Sequence, residues 1–257
     1  MDEYNKHKTS LYYLYNTDQL KISFDVDEQK INVTTSTDNN TYNYDELQIQ
    51  NVVYNNNHLY FSALNKNFND SVSIFSVDIS NGKRKLLVNL NNFLKEELTD
   101  CKECISNTLQ GNFFSINNSK IGYFFYDAGY FITIDNKNII TKVPTVTNQK
   151  FKVFENRKIE IPGSKYSEAK ICKSDNESFY QLDACSNDKN IFVLSNLGLK
   201  EIGNKRIIDV YDISLQYIFS FPIENIESAK PISVATFQNE LFVVFDNNQI
   251  EKYKINE

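Results

Sequence analysis

One short pattern occurs twice along this chain: an apolar run, an Asp that opens a turn, and a second apolar run. The copies are Ser76-Val77-Asp78-Ile79-Ser80 and Val210-Tyr211-Asp212-Ile213-Ser214. Val72-Ser73-Ile74-Phe75 leads into the first and Leu86-Leu87-Val88 follows it. Ile207-Ile208 and Tyr217-Ile218-Phe219 flank the second. Each unit reads as a β-hairpin. A hairpin repeated at long intervals builds similar sheets, and such sheets lose their open edges by closing into a ring. Between Asp78 and Asp212 there is room for three blades of about 45 residues, the usual blade repeat.

The rest of the chain fits the same plan. Apolar residues make up 41% of the 257, with 16 Tyr and 19 Phe, a composition suited to pleated, half-buried surfaces. Apolar runs predict strands at 11–15, 19–25, 30–34, 46–54, 58–63, 71–78 and 84–88. They continue at 113–116, 120–126, 129–134, 138–143, 150–154 and 158–161, then at 178–185, 190–195, 206–212, 216–221, 231–236, 240–245 and 249–254. Turns between them are built from Asn, Asp and Ser, as in Asn55-Asn56-Asn57, Asn117-Asn118-Ser119, Asp135-Asn136-Lys137 and Asp246-Asn247-Asn248. With 7 Gly in the chain, Asn must supply many of the left-handed turn positions. Asn91 to Leu98 has helical spacing and reads as a short helix between sheets.

The expected fold class is therefore all-β, a β-propeller. At four strands per blade, the strand count means five or six blades. No linker composition divides the chain, so residues 11–257 read as a single domain behind a polar tail at 1–10. The segment 249–254 looks like a third strand without a fourth. Leu11 to Tyr15 has no evident hairpin mate. The expectation is that 11–25 pairs with 240–255 and shuts the ring.

Charge and composition exclude several functions. A net charge of −6 with scattered Lys disfavours nucleic-acid phosphates. The densest basic group, Lys83-Arg84-Lys85, sits in a hairpin turn. No apolar run reaches the ~18 residues of a membrane-spanning helix. Met1 to Ser10 lacks the apolar core of a signal peptide. The chain as written is expected in the cytoplasm, and a chain stripped of its leader outside it. There are two His, at 7 and 58, so a Ser-His-Asp triad and His-rich metal sites are disfavoured. No G-x-S-x-G elbow, P-loop or G-x-G-x-x-G occurs.

Cysteines, carboxylates and aromatics remain. Cys101 and Cys104 form a C-x-x-C, without a second close pair to complete a zinc site. Ordinary thiols are expected; the alternatives are one or two disulfides, for which Cys172 and Cys185 could face each other across paired strands, or a metal site. Asp25, Asp27, Asp78, Asp135, Asp212 and Asp246 recur near strand ends. The favoured reading is that each carboxylate caps its own turn; the alternatives are a channel site for Ca2+ or another divalent cation, serving a hydrolase or lactonase, or a carboxylate pair for glycoside chemistry. No catalytic or metal-binding residue and no cofactor is assigned. Tyr123-Phe124-Phe125-Tyr126 and Tyr130-Phe131 read mainly as core. Tyr126 and Tyr130, flanking Asp127-Ala128-Gly129, are the candidate contact surface.

The last third adds a resemblance. Ser178-Phe179-Tyr180-Gln181-Leu182, Ser186-Asn187-Asp188-Lys189-Asn190-Ile191-Phe192-Val193-Leu194, Val210-Tyr211-Asp212 and Tyr217-Ile218-Phe219-Ser220-Phe221-Pro222-Ile223 resemble the TolB-like six-bladed propellers numerous in Bacteroidetes. Ile232 to Ala235 and Leu241 to Val244 continue it. The family's Trp after the Asp is absent, and Leu215-Gln216 stands where its turn Gly would be. The resemblance implies six blades, a lipid-anchored or surface-facing life at the cell envelope, and no catalytic residues. The function expected is a monomeric, non-catalytic scaffold that binds a protein or a carbohydrate.

Overall fold

The computed structural model describes residues 11–17, 20–25, 28–44, 46–65, 71–98, 104, 108–146, 151, 155–160, 168–173, 179–196, 206–226, 228–238 and 240–254. For 11–16, 155–160 and 168–173 the backbone alone is described. The tail 1–10, Cys101, Asp27 and His7 lie outside these residues. Among them the chain is all-β, with 21 antiparallel strands and one four-residue helix, α1 (Leu90–Phe93). The helix expected over 91–98 is thus one turn, continued by turns in which Glu97 and Leu98 amides return to the Leu94 carbonyl.

The strands fall into two compact units, Met1–Leu90 and Asn91–Glu257. The first unit holds two four-stranded sheets of consecutive strands. One is β1 (Leu11–Asn16), β2 (Leu20–Asp25), β3 (Lys30–Thr35) and β4 (Asn39–Asn43). The other is β5 (Leu47–Asn55), β6 (His58–Asn65), β7 (Val72–Asp78) and β8 (Arg84–Asn89). They share one core: Ile22, Phe24, Ile31 and Val33 pack with Leu47, Ile49, Leu59, Phe61 and Phe75. Arg84 lies over the Tyr44 and Phe75 rings, 5.1 and 5.2 Å from their centroids, and pairs with Glu46.

The second unit begins with β9 (Gly111–Asn117), β10 (Lys120–Phe125), β11 (Tyr130–Asp135) and β12 (Ile140–Pro144) in one sheet. A two-stranded hairpin of β13 (Glu155–Glu160) and β14 (Glu168–Lys173) follows. Then come the sheet β15 (Gln181–Ser186), β16 (Asn190–Ser195), β17 (Arg206–Asp212), β18 (Tyr217–Ile223) and the three-stranded sheet β19 (Pro231–Phe237), β20 (Glu240–Phe245), β21 (Ile250–Lys254). The β15–β18 sheet is covered on both faces. Ile191, Val193 and Tyr211 pack with Phe114, Phe124 and Phe131 on one side. Phe192, Leu194, Ile208 and Val210 pack with Leu241, Val243 and Phe245 on the other. Burial on two faces explains why β16 is a solid apolar run rather than an alternating one.

Hydrogen bonds stitch the first strands of these sheets together. Ser186 Oγ donates to the carbonyls of Ser115 (2.6 Å) and Ile116 (3.0 Å), joining β15 to β9. Asp183 accepts from Ser233 Oγ and from the Val234 amide at 2.9 Å, joining β15 to β19.

One expectation is corrected. Leu11–Asn16 does have a hairpin mate: Leu11 pairs with Asp25 and Asn16 with Lys21. The first sheet is complete with β1 to β4, and β21 pairs with β20 as the third strand of the last sheet. Among the described residues, 11–25 and 240–255 thus belong to two different sheets and do not share one. The missed element was β4, Asn-Asn-Thr-Tyr-Asn. Its polar, exposed sequence hides a strand that completes the first sheet.

Candidate contact site at one end of the second unit

Antiparallel order puts the start of a sheet's first strand, the end of its second and the start of its third at one end. The Asp turns lie at the other end, where third strand meets fourth. There the carboxylates cap turns, as favoured. Asp78 Oδ1 accepts from the Ser80 amide (2.9 Å) and hydroxyl (2.6 Å). Asp135 Oδ1 accepts from the Lys137 (2.9 Å) and Ile139 (2.8 Å) amides. Asp212 Oδ1 accepts from Ser214 Oγ (2.6 Å) and the Gln216 amide (2.9 Å). The hydroxyls of Ser80 and Ser214 foremost hold Asp78 and Asp212 below the usual carboxylate range. A second bond repeats in three sheets. The residue after each Asp donates its amide to the first hairpin turn: Ile79 to Asn57 (3.2 Å), Asn136 to Ser119 (2.9 Å), Ile213 to Lys189 (3.0 Å).

Asp25 likewise accepts from the Glu28 amide at 3.0 Å. Asp246 is different: its Oδ1 accepts from the amide of Lys230, in the approach to β19, at 3.0 Å. Among the described residues no three His, Cys, Asp or Glu side chains are gathered as a metal-ligand set.

The other end of the second unit carries the aromatic candidates. Tyr130, expected at the surface, is 2% exposed. Its ring packs edge-on against Phe125 and Phe151, at 5.3 and 5.2 Å, and Lys142 Nζ lies 4.2 Å from its centroid. Burial foremost pushes its hydroxyl far above the usual tyrosine range. The physical reason is that β10 and β11 are buried on both faces, so alternation does not turn half their rings outward. Tyr130 belongs to the core. Tyr126 is half-buried; its ring lies 4.9 Å from that of Phe179, which is 44% exposed. Tyr126 thus keeps a surface partner that sequence reasoning did not single out.

Backbone bonds fix this pair. The Tyr126 carbonyl accepts from the amides of Tyr180 (2.7 Å) and Gln181 (3.2 Å). Gln181, fully buried, donates Nε2 to the carbonyls of Ala128 and Tyr130, the latter at 2.9 Å, and clamps the turn. Asn196 donates its amide to the Tyr180 carbonyl (2.8 Å) and Nδ2 to the Phe179 carbonyl (2.7 Å). Its Oδ1 accepts from Arg206 Nε at 3.0 Å. Arg206 is half-buried and its Nη1 is enclosed with no hydrogen-bond partner. Burial lowers the guanidinium from its ordinary range, with Asp246 working in the opposite direction. A lone Arg at a strand start carries no sequence signal of this kind.

The cysteines depart from the expected set of thiols. Cys104 is buried and disulfide-bonded, whereas Cys185 is a free thiol. A Cys172–Cys185 bridge is thereby excluded; β14 pairs with β13 and β15 with β16. Burial, then Asp183, pushes the Cys185 thiol far up, away from the thiolate form that reacts. His58 holds its turn, with Nδ1 3.1 Å from the Asn56 carbonyl.

No family model matches the sequence, and no curated protein does. Solved structures do match in fold. Hsv2 of Kluyveromyces marxianus shares 10% identity at a TM-score of 0.56, covering 95% of this chain and 67% of that one. Hsv2 of Kluyveromyces lactis shares 8% at 0.55, covering 96% and 69%. A catalytically inactive variant of virginiamycin B lyase from Staphylococcus aureus, with quinupristin, shares 14% at 0.53, covering 97% and 71%. These neighbours are propeller-like, and the likeness is one of fold.

Proposed function

We propose that this protein is a non-catalytic β-propeller that binds a protein or carbohydrate partner on its turn-bearing ends. The carrying observation is the use made of the recurrent carboxylates. Asp78, Asp135 and Asp212 each commit an oxygen to their own turns, and the bond from the following residue locks neighbouring turns together. Groups engaged in this way are poor candidates for proton transfer, while rigid turns suit recognition. The other end of the second unit supplies a surface, Phe179 on Tyr126, beside the half-buried Arg206. Six blades, a single domain over 11–257, membership of the TolB-like group and a place at the cell envelope are parts of the same proposal. The single domain is supported by the absence of any linker composition in the sequence, and the rest by the resemblance of 178–255.

The test is a panel of ester, lactone and glycoside substrates, with and without Ca2+, run beside glycan and peptide arrays. The expected result is saturable capture on an array and no turnover. Turnover abolished by one carboxylate-to-amide change would overturn the proposal in favour of a hydrolase or lactonase.

A further inference from the structure

We infer that Arg206 anchors a binding site for a carboxylate carried beside an aromatic side chain, as an extended peptide segment presents them. The inference rests on the platform reading above and names the partner's chemistry. Asn196 is held by the Phe179 and Tyr180 carbonyls and holds Arg206 Nε in turn. One amide thus spaces the guanidinium two hydrogen bonds from Phe179. Nε is occupied and Nη1 is enclosed without a hydrogen-bond partner, so the guanidinium keeps unspent donor capacity. A cation withdrawn from water, with Asp246 as the opposing charge that acts on it, gains from an added anion. The exposed Phe179 ring, backed by Tyr126, gives an aromatic group a face to pack on. Asp127 is buried in the adjoining turn, where its charge raises the Tyr180 hydroxyl after burial has done so.

The experiment titrates 15N-labelled full chain with 3-phenylpropionate, 3-phenylpropan-1-ol and acetate. It reads the Asn196 side-chain amide and Arg206 Nε–H resonances. The phenyl acid should give saturable shifts, and the alcohol should bind at least about tenfold more weakly for want of a charged acceptor. Acetate should also bind more weakly than the phenyl acid. Arg206→Met should abolish binding. Asp246→Asn keeps an acceptor for the Lys230 amide but removes the opposing charge, and should tighten the acid about threefold. Equal binding of acid and alcohol, or no saturable shift, would overturn the inference. Acid binding that survives Arg206→Met, in a variant whose other resonances are unchanged, would do the same. Those results leave the platform reading standing, since that reading fails on turnover.

Discussion

At the scale of single residues, aspartates in this chain work in two opposite ways. Asp212, at a turn, is stabilised as an anion by Ser214 and Gln216. Its folded pKa lies below the unfolded value, so its contribution is present above about pH 4 and is lost as pH falls through the folded value. Replacing Asp212 by Ala should cost about 1 kcal/mol at pH 7, the net worth of a lost hydrogen bond. Urea melts should show that gap narrowing at acid pH; a gap independent of pH would refute the assignment. Asp209, on β17, is 4% exposed and has Ser220 Oγ at 2.5 Å as its donor. Burial raises its pKa, Ser220 notwithstanding. The folded state then holds the proton more tightly than the unfolded state. Stability from this group is full below the unfolded value near 4 and declines as pH rises through the folded one. Asp209→Asn should therefore melt higher than wild type at pH 7, and the difference should shrink towards pH 4. A lower melting point at pH 7 would show that Asp209 serves as an anion in the fold.

Turn residues illustrate the same scale. Asn56, Asn57, Asn138 and Asn248 take positive φ, between 45° and 66°, as expected of Asn standing in for Gly. Leu215 also does so, at 76°, where the resembling family carries Gly. A branched side chain there costs about 1–2 kcal/mol. Packing of Leu215 against the Ile191, Val193 and Tyr211 cluster offsets it.

At the scale of elements, strands were legible where apolar patterning is obligatory and illegible where backbone pairing alone suffices. β10, β11 and β16 announce themselves as nearly solid apolar runs because they are buried almost throughout. β4 is polar and exposed, so no pattern marks it. Solid runs carry a penalty of their own: they do not say which ring faces out, and Tyr130 was misplaced for that reason. Asn196 and Arg206 were missed because a polar clamp between strand ends depends on which strands become neighbours. Gly122 shows how tightly one such element is fitted. A Cβ added there would stand 2.1 Å from the Phe114 ring tip, inside the core that Phe114 shares with Phe124 and Phe131. Gly122→Ala must push that ring aside and should cost about 2 kcal/mol. Differential scanning calorimetry would show a lowered Tm. Gly122→Ala paired with Phe114→Leu should recover part of the loss, and an unchanged Tm in the single variant would contradict this packing.

At the scale of the whole molecule, the physical point is that sheets share cores instead of owning them. The β15–β18 sheet gives alternate residues of β16 to different clusters, Ile191 and Val193 to one side, Phe192 and Leu194 to the other. No sheet so placed can be stable alone, which is the energetic logic of repeat architectures. It also explains why the repeat was visible in sequence at the Asp turns while its strands varied freely. Turn chemistry is fixed by backbone geometry, and a shared core needs volume and apolarity more than identity. The consequence is testable by truncation. Ending the chain after Ile223 removes β19 to β21 and uncovers Phe192, Leu194, Ile208 and Val210 together. Each large apolar side chain forfeits about 1.5–3 kcal/mol of burial, and the loss over the four is comparable with the whole stability of an ordinary domain. The shortened protein should bind 8-anilinonaphthalene-1-sulfonate strongly, lose its near-ultraviolet tyrosine signal and elute as aggregates. A soluble, monomeric truncation with native tyrosine dichroism would mean that the β15–β18 sheet does not depend on its neighbour.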